Sequence, residues 1–463
     1  MLRRDLSVGG ELTAGCAPVL ALMALLTIGC ASSGAAYDTL RADIDRSVRI
    51  DAVSPADQER LLRAAVLERR EFVRMVLERN PSIDAARQGW RAAVARVRQS
   101  GVVDDPMVNL ELAPLSFSSS SGRVGYTAAV SQRLPWPGKL GFDQAVAKAE
   151  ADAARSDFES TRRELALAAA LLYDAYFAST RSLEVNAHHV ALLRDLKAAA
   201  LAQLETGRGS VQDPLQAEAE LTHMEHDALI LASERDVTVA QMNEFLHRDP
   251  SLPLPPPTQE LELPKAPDAN DGERLGGRAA SARPEIESVR HHAEAEEARA
   301  ARAERESYPD ITVSTSYNSM WDMPEHRWMV GVGLNVPLQL GRRRGAVEEA
   351  QAARARFDAE AVRMTDKART EVVVALKRLE EAHHVVRLFE ERLLPVARDQ
   401  VDAARAGFVA SRNDFAAVIS AEKNLRSVEL EFQLARANFD RRDAELERAL
   451  GRVPGLGPRG AGR

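Results

Sequence analysis

The side chains able to hold a metal or move a proton are few and scattered. The chain has 10 histidines. His188-His189, His291-His292 and His383-His384 are adjacent pairs, and neighbours in sequence do not face one way on a helix. His223 and His226 stand three apart, a spacing that could share a metal on one helix face, but no third ligand accompanies them. The stretch Met320-Trp321-Asp322-Met323-Pro324-Glu325-His326-Arg327-Trp328-Met329 offers thioether and imidazole, which suit soft ions. Its tryptophans equally suit a membrane–water interface, and that reading is preferred. Zinc-protease, phosphate-loop and serine-hydrolase patterns are absent. The sequence therefore assigns no catalytic residue, no metal site and no cofactor, and the chain is read as not an enzyme.

Cys30 is the one residue whose chemistry is written into its surroundings. The apolar run Ala17–Ile28 follows Arg3 and Arg4 and ends at Gly29, directly before Cys30. At about a dozen residues the run is shorter than the ~20 of a spanning helix, and it reads as the core of an export signal. A small residue before a cysteine at that point resembles a lipoprotein signal, which makes Cys30 the lipidation site and 1–29 the signal peptide. Ser32 just after it favours the outer membrane. Plain export with cleavage near Ala35-Ala36 is the alternative. Cleavage before Cys30 leaves a single cysteine, so no intramolecular disulfide is expected. With 463 residues, 61 basic against 69 acidic, the chain is too charged for a polytopic helical membrane protein, and a net charge of −8 argues against a nucleic-acid partner.

These residues sit on a duplicated plan. Asn80-Pro81-Ser82-Ile83 recurs as Arg283-Pro284-Glu285-Ile286, Asp105-Pro106 as Tyr308-Pro309, and Gly138 as Gly341, each 203 residues on. Gly209-Ser210-Val211 parallels Asn413-Asp414-Phe415 at an offset of 204. Each copy opens with a charged, Ala-rich helix, about 57–100 and about 283–306. A stretch of alternating residues follows, and then two long helices joined at a tight turn. The alternating stretches predict four short strands, about 107–134 in the first copy and 310–338 in the second. Each has roughly the 9–11 residues of a tilted membrane strand. A soluble four-stranded sheet fits equally well segment by segment.

Residues 138–206 and 341–407 read as helices of roughly 100 Å, at 1.5 Å per residue. In the last helix Val418, Leu425, Phe432, Phe439 and Leu446 stand seven apart, with Ala421, Val428 and Ala435 as partners, which is a heptad seam. The turns between long helices are Gly207-Arg208-Gly209-Ser210 and Ala410-Ser411-Arg412-Asn413. Glycine permits the reversal, and Ser210 or Asn413 and Asp414 can cap the returning helix. The organisation expected is a signal at 1–29, an N-terminal lipid-anchored extension at 30–56, repeats at 57–248 and 277–450, a Pro-rich linker at 249–276 and a disordered tail at 451–463.

In order and spacing, Asn80-Pro81, Asp105-Pro106, Ser131–Leu140 with its Arg133-Leu134-Pro135-Trp136-Pro137-Gly138-Lys139, Gly207–Asp213, Tyr308-Pro309-Asp310 and Val336-Pro337…Gly341-Arg342-Arg343 resemble the TolC-type outer-membrane efflux proteins over about 57–450. The Ser131–Leu140 stretch is most similar to the heavy-metal cation branch. The resemblance implies a mainly α fold, a long-helix α-barrel with a small membrane β-barrel of four strands per chain that closes only as a homotrimer. It implies a passive conduit for metal cations or drugs, contacts with outer-membrane lipid, a periplasmic adaptor (membrane fusion) protein and an inner-membrane transporter of the RND type. It makes Gly207, Arg208, Gly209, Ser210, Ser411, Arg412 and Asn413 the periplasmic tip and adaptor contact. It makes Asp213, Arg412 and Asp414 the aperture, where Arg412 could pair with Asp213 of a neighbouring protomer. Relatives carry an aspartate ring after the second turn, whereas this chain reads Phe415-Ala416-Ala417-Val418. A periplasmic adaptor or a coiled-coil structural lipoprotein is the alternative, and neither explains paired strands at mirrored positions.

Overall fold

The computed structural model describes residues 31–51, 64–114, 125–207, 209–259, 272–410 and 412–456, with backbone only at 31–33 and 48–51. The expectations for the signal peptide, Cys30, Arg208 and Ser411 lie outside those residues. The described elements are α1 (Ala31–Asp51), α2 (Arg69–Arg79), α3 (Pro81–Gln99), β1 (Met107–Ala113), β2 (Gly125–Leu134), α4 (Lys139–Glu205) and α5 (Gln212–Phe245). They continue as α6 (Gly272–Ala282), α7 (Pro284–Arg305), β3 (Ile311–Asn318), β4 (Trp328–Leu334), α8 (Leu340–Leu388), a π turn (Phe389–Leu393), α9 (Leu394–Val409) and α10 (Phe415–Ala449). The chain divides into two compact units, one formed by the described parts of Met1–Ser47, Gln88–Arg155 and Ser288–Ala361, the other by Val48–Arg87, Ser156–Glu287 and Val362–Arg463.

The first unit contains an antiparallel sheet in the order β1-β2-β3-β4, so the first copy's hairpin pairs with the second's through β2 and β3. The strands have 7, 10, 8 and 7 residues, mostly shorter than the sequence suggested.

The second unit is built on the seam of α10. Val418, Ala421 and Leu425 are buried against Ala397, Val401 and Ala404 of α9. Further along, Ala435, Phe439 and Leu446 pack on Val372, Leu376, Leu379 and Val386 of α8. Phe415, at the start of α10, packs with Val190 and Leu193 of α4 and Leu221 and Met224 of α5. The two hairpins thus lie side by side with their turns at the same end. Pro395 cannot donate to the carbonyl four residues back. The helix absorbs this with the π turn directly before it, while Gly345 leaves α8 unbroken.

Three expectations need correction. The opening helix of the first copy is two helices, because Asn80 before Pro81 is extended (φ −70°, ψ 124°), as a residue before proline prefers. The same break at Arg283 separates α6 from α7. The duplication extends to function at these breaks: Asn80 Nδ2 donates to the carbonyl of Phe245, the last residue of α5, at 3.1 Å. Arg283 Nε donates to the carbonyl of Ala449, the last residue of α10, at 2.9 Å. Each copy therefore closes its own final helix with the residue before its own proline.

The second correction concerns the linker, which is shorter than proposed and is held down. Residues 272–276 belong to α6, Tyr176 Oη donates to Pro255 O at 3.0 Å, and Arg181 Nη2 donates to Pro257 O at 3.0 Å and Thr258 O at 2.8 Å. The third concerns the tail, whose residues 451–456 pack: Gly455 N donates to Glu447 at 2.7 Å and Arg163 to Gly451 O at 3.0 Å. Beside them Arg69 is buried with Nη2 at 2.8 Å from Asp174 Oδ2 and 3.0 Å from Asp440 O, joining α2 to both long helices.

Phe439 is fully buried at the centre of the seam. Truncating it to Ala should cost about 3–5 kcal/mol. The expected result is a lower thermal midpoint in detergent with the helical circular dichroism of the folded protein unchanged at low temperature.

Candidate functional site

The sheet has two chemically distinct faces, and the register assigns every residue to one of them. Cross-strand partners share a face. Tyr317 pairs with Ala128 and Trp328, Thr315 with Val130 and Val330, Val313 with Gln132 and Val332, and Ile311 with Leu134 and Leu334. On the far side Val130 pairs with Val108, Ala128 with Leu110 and Tyr126 with Leu112. This face is apolar and open: Val108 is 72% exposed, Leu110 66%, Val330 76% and Val332 71%. The opposite face carries Asn109, Glu111, Thr127, Ser131, Arg133, Thr312, Ser314, Ser316 and Asn318, with Met107 and Met329 as its large apolar side chains. Water would not leave such an apolar face bare. β1 and β4 are also edge strands, each with one row of backbone groups unpaired within this sheet.

Aromatic residues mark both ends of the apolar face. At the loop end Tyr317 lies between Tyr126 and Trp328, with ring centroids 5.8 and 5.2 Å away. At the helix end Trp136 stacks on Tyr308 at 5.4 Å. Ile311 to Tyr317 is six steps of β3, about 20 Å at strand rise, and Tyr308 lies beyond the foot of that strand. Amphipathic rings at two levels that far apart are the pattern of interfacial belts flanking a hydrocarbon band. Trp328 belongs to the cluster at the loop end, whereas Trp321 packs edge-on to His326.

The foot of the sheet is fastened by one carboxylate. Asp310 Oδ1 accepts from Lys139 Nζ at 2.7 Å and from the Trp136 N–H at 3.0 Å, and its Oδ2 accepts from Arg133 Nη2 at 2.6 Å. Lys139, 2% exposed, also donates to Tyr308 O at 3.1 Å. Asp310 O in turn accepts from Asn335 N at 3.1 Å, beyond the end of β4. Burial alone would raise the Asp310 carboxyl, but hydrogen bonds from Lys139, Arg133 and the Trp136 N–H outweigh it and lower its pKa to about 2. Arg133, Trp136 and Lys139 come from the first copy and Tyr308 and Asp310 from the second. The motif residues that looked like a family signature are thus one cross-repeat lock. Sequence alone gave them no role, because the partners are over 160 residues apart; the cue was two basic motif side chains, Arg133 and Lys139, facing an acid in the mirrored motif.

The turns carry the proposed tip residues. Gly207 reverses the chain in a left-handed conformation (φ 70°). Ser210 Oγ accepts from Gln212 N at 3.1 Å while Asp213 reaches back to Ser210 N at 3.2 Å, the reciprocal pattern of a capping box. At the second turn Asp414 caps α10 by accepting from Ala417 N at 3.0 Å. Asn413 does not cap; its side chain fills the space that the missing Cβ of Gly407 leaves. The acids expected at the aperture are therefore tied into helix starts. Arg412 is exposed, and within one chain it forms no ion pair with Asp213 among the described residues. Among those residues no cluster of three or more His, Cys, Asp or Glu side chains is placed to hold a metal. His223 and His226 are both exposed.

A family model described as outer membrane efflux protein matches residues 72–246 and 275–452, one match for each copy. The chain belongs to the outer membrane efflux protein family. It is a channel component and not an enzyme, and its helices with the four-stranded sheet are the fold of that family. A membrane protein from Pseudomonas aeruginosa is 19% identical with a TM-score of 0.69, over 84% of this chain and 91% of its own. CusC, in structures concerned with transmembrane channel formation, is 17% identical with a TM-score of 0.69, over 83% of this chain and 92% of its own. The outer membrane protein VceC from Vibrio cholerae is 17% identical with a TM-score of 0.68, over 84% and 97%. Comparison with curated proteins finds no match. Among the described residues no helix is long and apolar enough to cross a membrane.

Replacing Asp310 with Asn should leave the buried Lys139 ammonium with only the more distant Glu306, 4.0 Å away, as counter-charge and cost up to about 3–5 kcal/mol. Because the folded pKa lies below the ordinary value of about 3.9, the contribution is complete above pH 4 and is lost as pH falls toward 2. Acid titration of thermal stability should therefore show a loss between those limits in the wild type. Asp310→Asn should be less stable at neutral pH and lack that part of the acid dependence.

Proposed function

We propose that the chain is the outer-membrane subunit of a tripartite efflux system, working as a passive homotrimeric conduit. The two-faced sheet carries this reading. A four-stranded sheet with open edges cannot stand in lipid, where every backbone group needs a partner. Three copies joined edge to edge, β1 of one to β4 of the next, would supply twelve antiparallel strands, an even number suited to a closed barrel. The apolar face would then meet lipid, and the face with Glu111, Ser314 and Asn318 would line water.

The long hairpins α4/α5 and α8–α10 would extend into the periplasm. Their turns, with Gly207, Gly209, Ser210, Arg412 and Asn413, would meet a periplasmic adaptor. An inner-membrane transporter would deliver metal cations or drugs. The closest chemical support for a cation route is the net negative charge, and the caps on Asp213 and Asp414 do not supply a free acidic ring. Acylation of Cys30 would add a second attachment to the membrane.

Extraction of outer membranes in mild detergent, followed by mass measurement, tests the assembly. A detergent-requiring species of three chains is expected. A water-soluble monomer or dimer would contradict the barrel and favour a structural or adaptor role.

A further inference from the structure

Among the adjacent histidines, His188 is exposed while His189 is 2% exposed, on the inner side of α4. The His189 ring lies between two acids of α10. Its Nε2 is 3.0 Å from Glu429 Oε2 and its Nδ1 is 3.7 Å from Glu422 Oε2. Glu422 and Glu429 are seven residues apart and each follows a seam position, so both project beside the seam toward α4.

The other charged groups here are already engaged. From α9, Arg405 bonds Glu422 Oε1 and Arg398 lies 3.4 Å from Glu429 Oε1. From α5, Glu220 and Asp227 face α10 but are paired with Lys423 at 3.2 Å and Arg426 at 2.5 Å. On α4 itself the remaining neighbour is His188, edge-on at 5.7 Å. Glu422 Oε2 is buried and has no hydrogen bond, and the atom it faces is His189 Nδ1. A neutral imidazole carries one N–H and can serve only one of the two carboxylates. The imidazolium carries two and serves both.

We propose that His189 is a proton-loaded clamp between the two hairpins: charged, it ties α4 to α10 through Glu422 and Glu429, and neutral, it lets that contact go. The electrostatics agree in sign. Burial alone would lower the His189 pKa, but the two carboxylates beside the ring, Glu422 and Glu429, outweigh it and raise it above the ordinary value. Glu429 is held below its usual range by His189, and Glu422, despite burial, by His189 and Arg405. A raised histidine stabilises the contact fully below about pH 6.5, and the contribution is lost as pH climbs through the raised value. At the acid end the clamp fails again when the two glutamates protonate. It is therefore closed from mildly acidic to near-neutral pH and releases toward alkaline pH. If the protein is the conduit proposed above, release frees the second hairpin near its turn, and conductance rises with pH.

Amide hydrogen exchange of the full-length protein in detergent tests the clamp without reference to conduction. His189→Gln should exchange faster than wild type in 186–196 and 415–432 at pH 6, by about tenfold for each unit by which the pKa is raised, and equally at a pH well above the raised His189 pKa. Equal exchange at both pH values, or faster exchange at both, overturns the proposal. For the wild type alone, a 13C-labelled histidine titration should place His189 above 6.5, and a value at or below it overturns the proposal even if the variant misfolds. In planar bilayers wild-type conductance should rise as pH climbs through the raised His189 pKa found in that titration, while His189→Gln stays flat. A pH step that survives in His189→Gln overturns the gating role, whereas no conductance in either protein at any pH contradicts the conduit reading and leaves the exchange result to decide the clamp.

Discussion

The sheet stands where it does because one buried carboxylate holds three donors. Asp310 brings Lys139, Arg133 and the Trp136 N–H to a single point, and it is the nearer of the two acids, with Glu306 at 4.0 Å, that compensate the buried Lys139. An uncompensated ammonium in that place would be expensive, so the first-copy junction cannot form without the second-copy residue. That dependence fixes β2 against β3, and the β2–β3 register then sets which side chains of all four strands share a face. The aromatic pair Trp136 and Tyr308 is stacked by the same contacts, which places one interfacial belt at the foot of the strands.

Duplication explains why a single lock suffices. Each copy supplies a broken entry helix, a β-hairpin and a pair of long helices, and each closes its own last helix at the residue before its conserved-position proline, Asn80 on Phe245 and Arg283 on Ala449. What differs between the copies is where chemistry can be specialised. The first copy gives the cations Arg133 and Lys139 and the second gives the acid. In the hairpins the first copy gives His189 and the second Glu422 and Glu429. Ionic ties between copies recur at both places, and in each the participants are far apart in the chain.

Much of this was legible in sequence. The strands fell within a few residues of their observed bounds, because alternation and the flanking prolines mark them. Of the heptad positions Val418, Leu425, Phe432, Phe439 and Leu446, all but the half-buried Phe432 are buried, because a period of seven leaves little choice of face. The break at Asn80 was missed although the proline rule announces it, the start at Arg283-Pro284 was placed but the helix before it was not, and the linker was read as a spacer because its carbonyls find partners, Tyr176 and Arg181, only in three dimensions. The locks at Asp310 and His189 were not readable. Each joins residues more than 160 positions apart, and nothing local distinguishes His189 from His188 except the side of the helix it occupies. Asp213 and Asp414, read as both aperture acids and caps, do accept backbone N–H groups at helix starts, where the helix end favours a carboxylate.

The central claim is that one face of the sheet meets lipid and the other meets water. Spin labels placed one at a time along residues 311–318 of the protein in liposomes would read both faces in one experiment. The register predicts a period of two: oxygen accessibility high at 311, 313, 315 and 317, and accessibility to a water-soluble nickel reagent high at 312, 314, 316 and 318. Uniform accessibility to the nickel reagent along the strand, or oxygen and nickel profiles that do not alternate, would contradict the membrane barrel and leave a sheet surrounded by water.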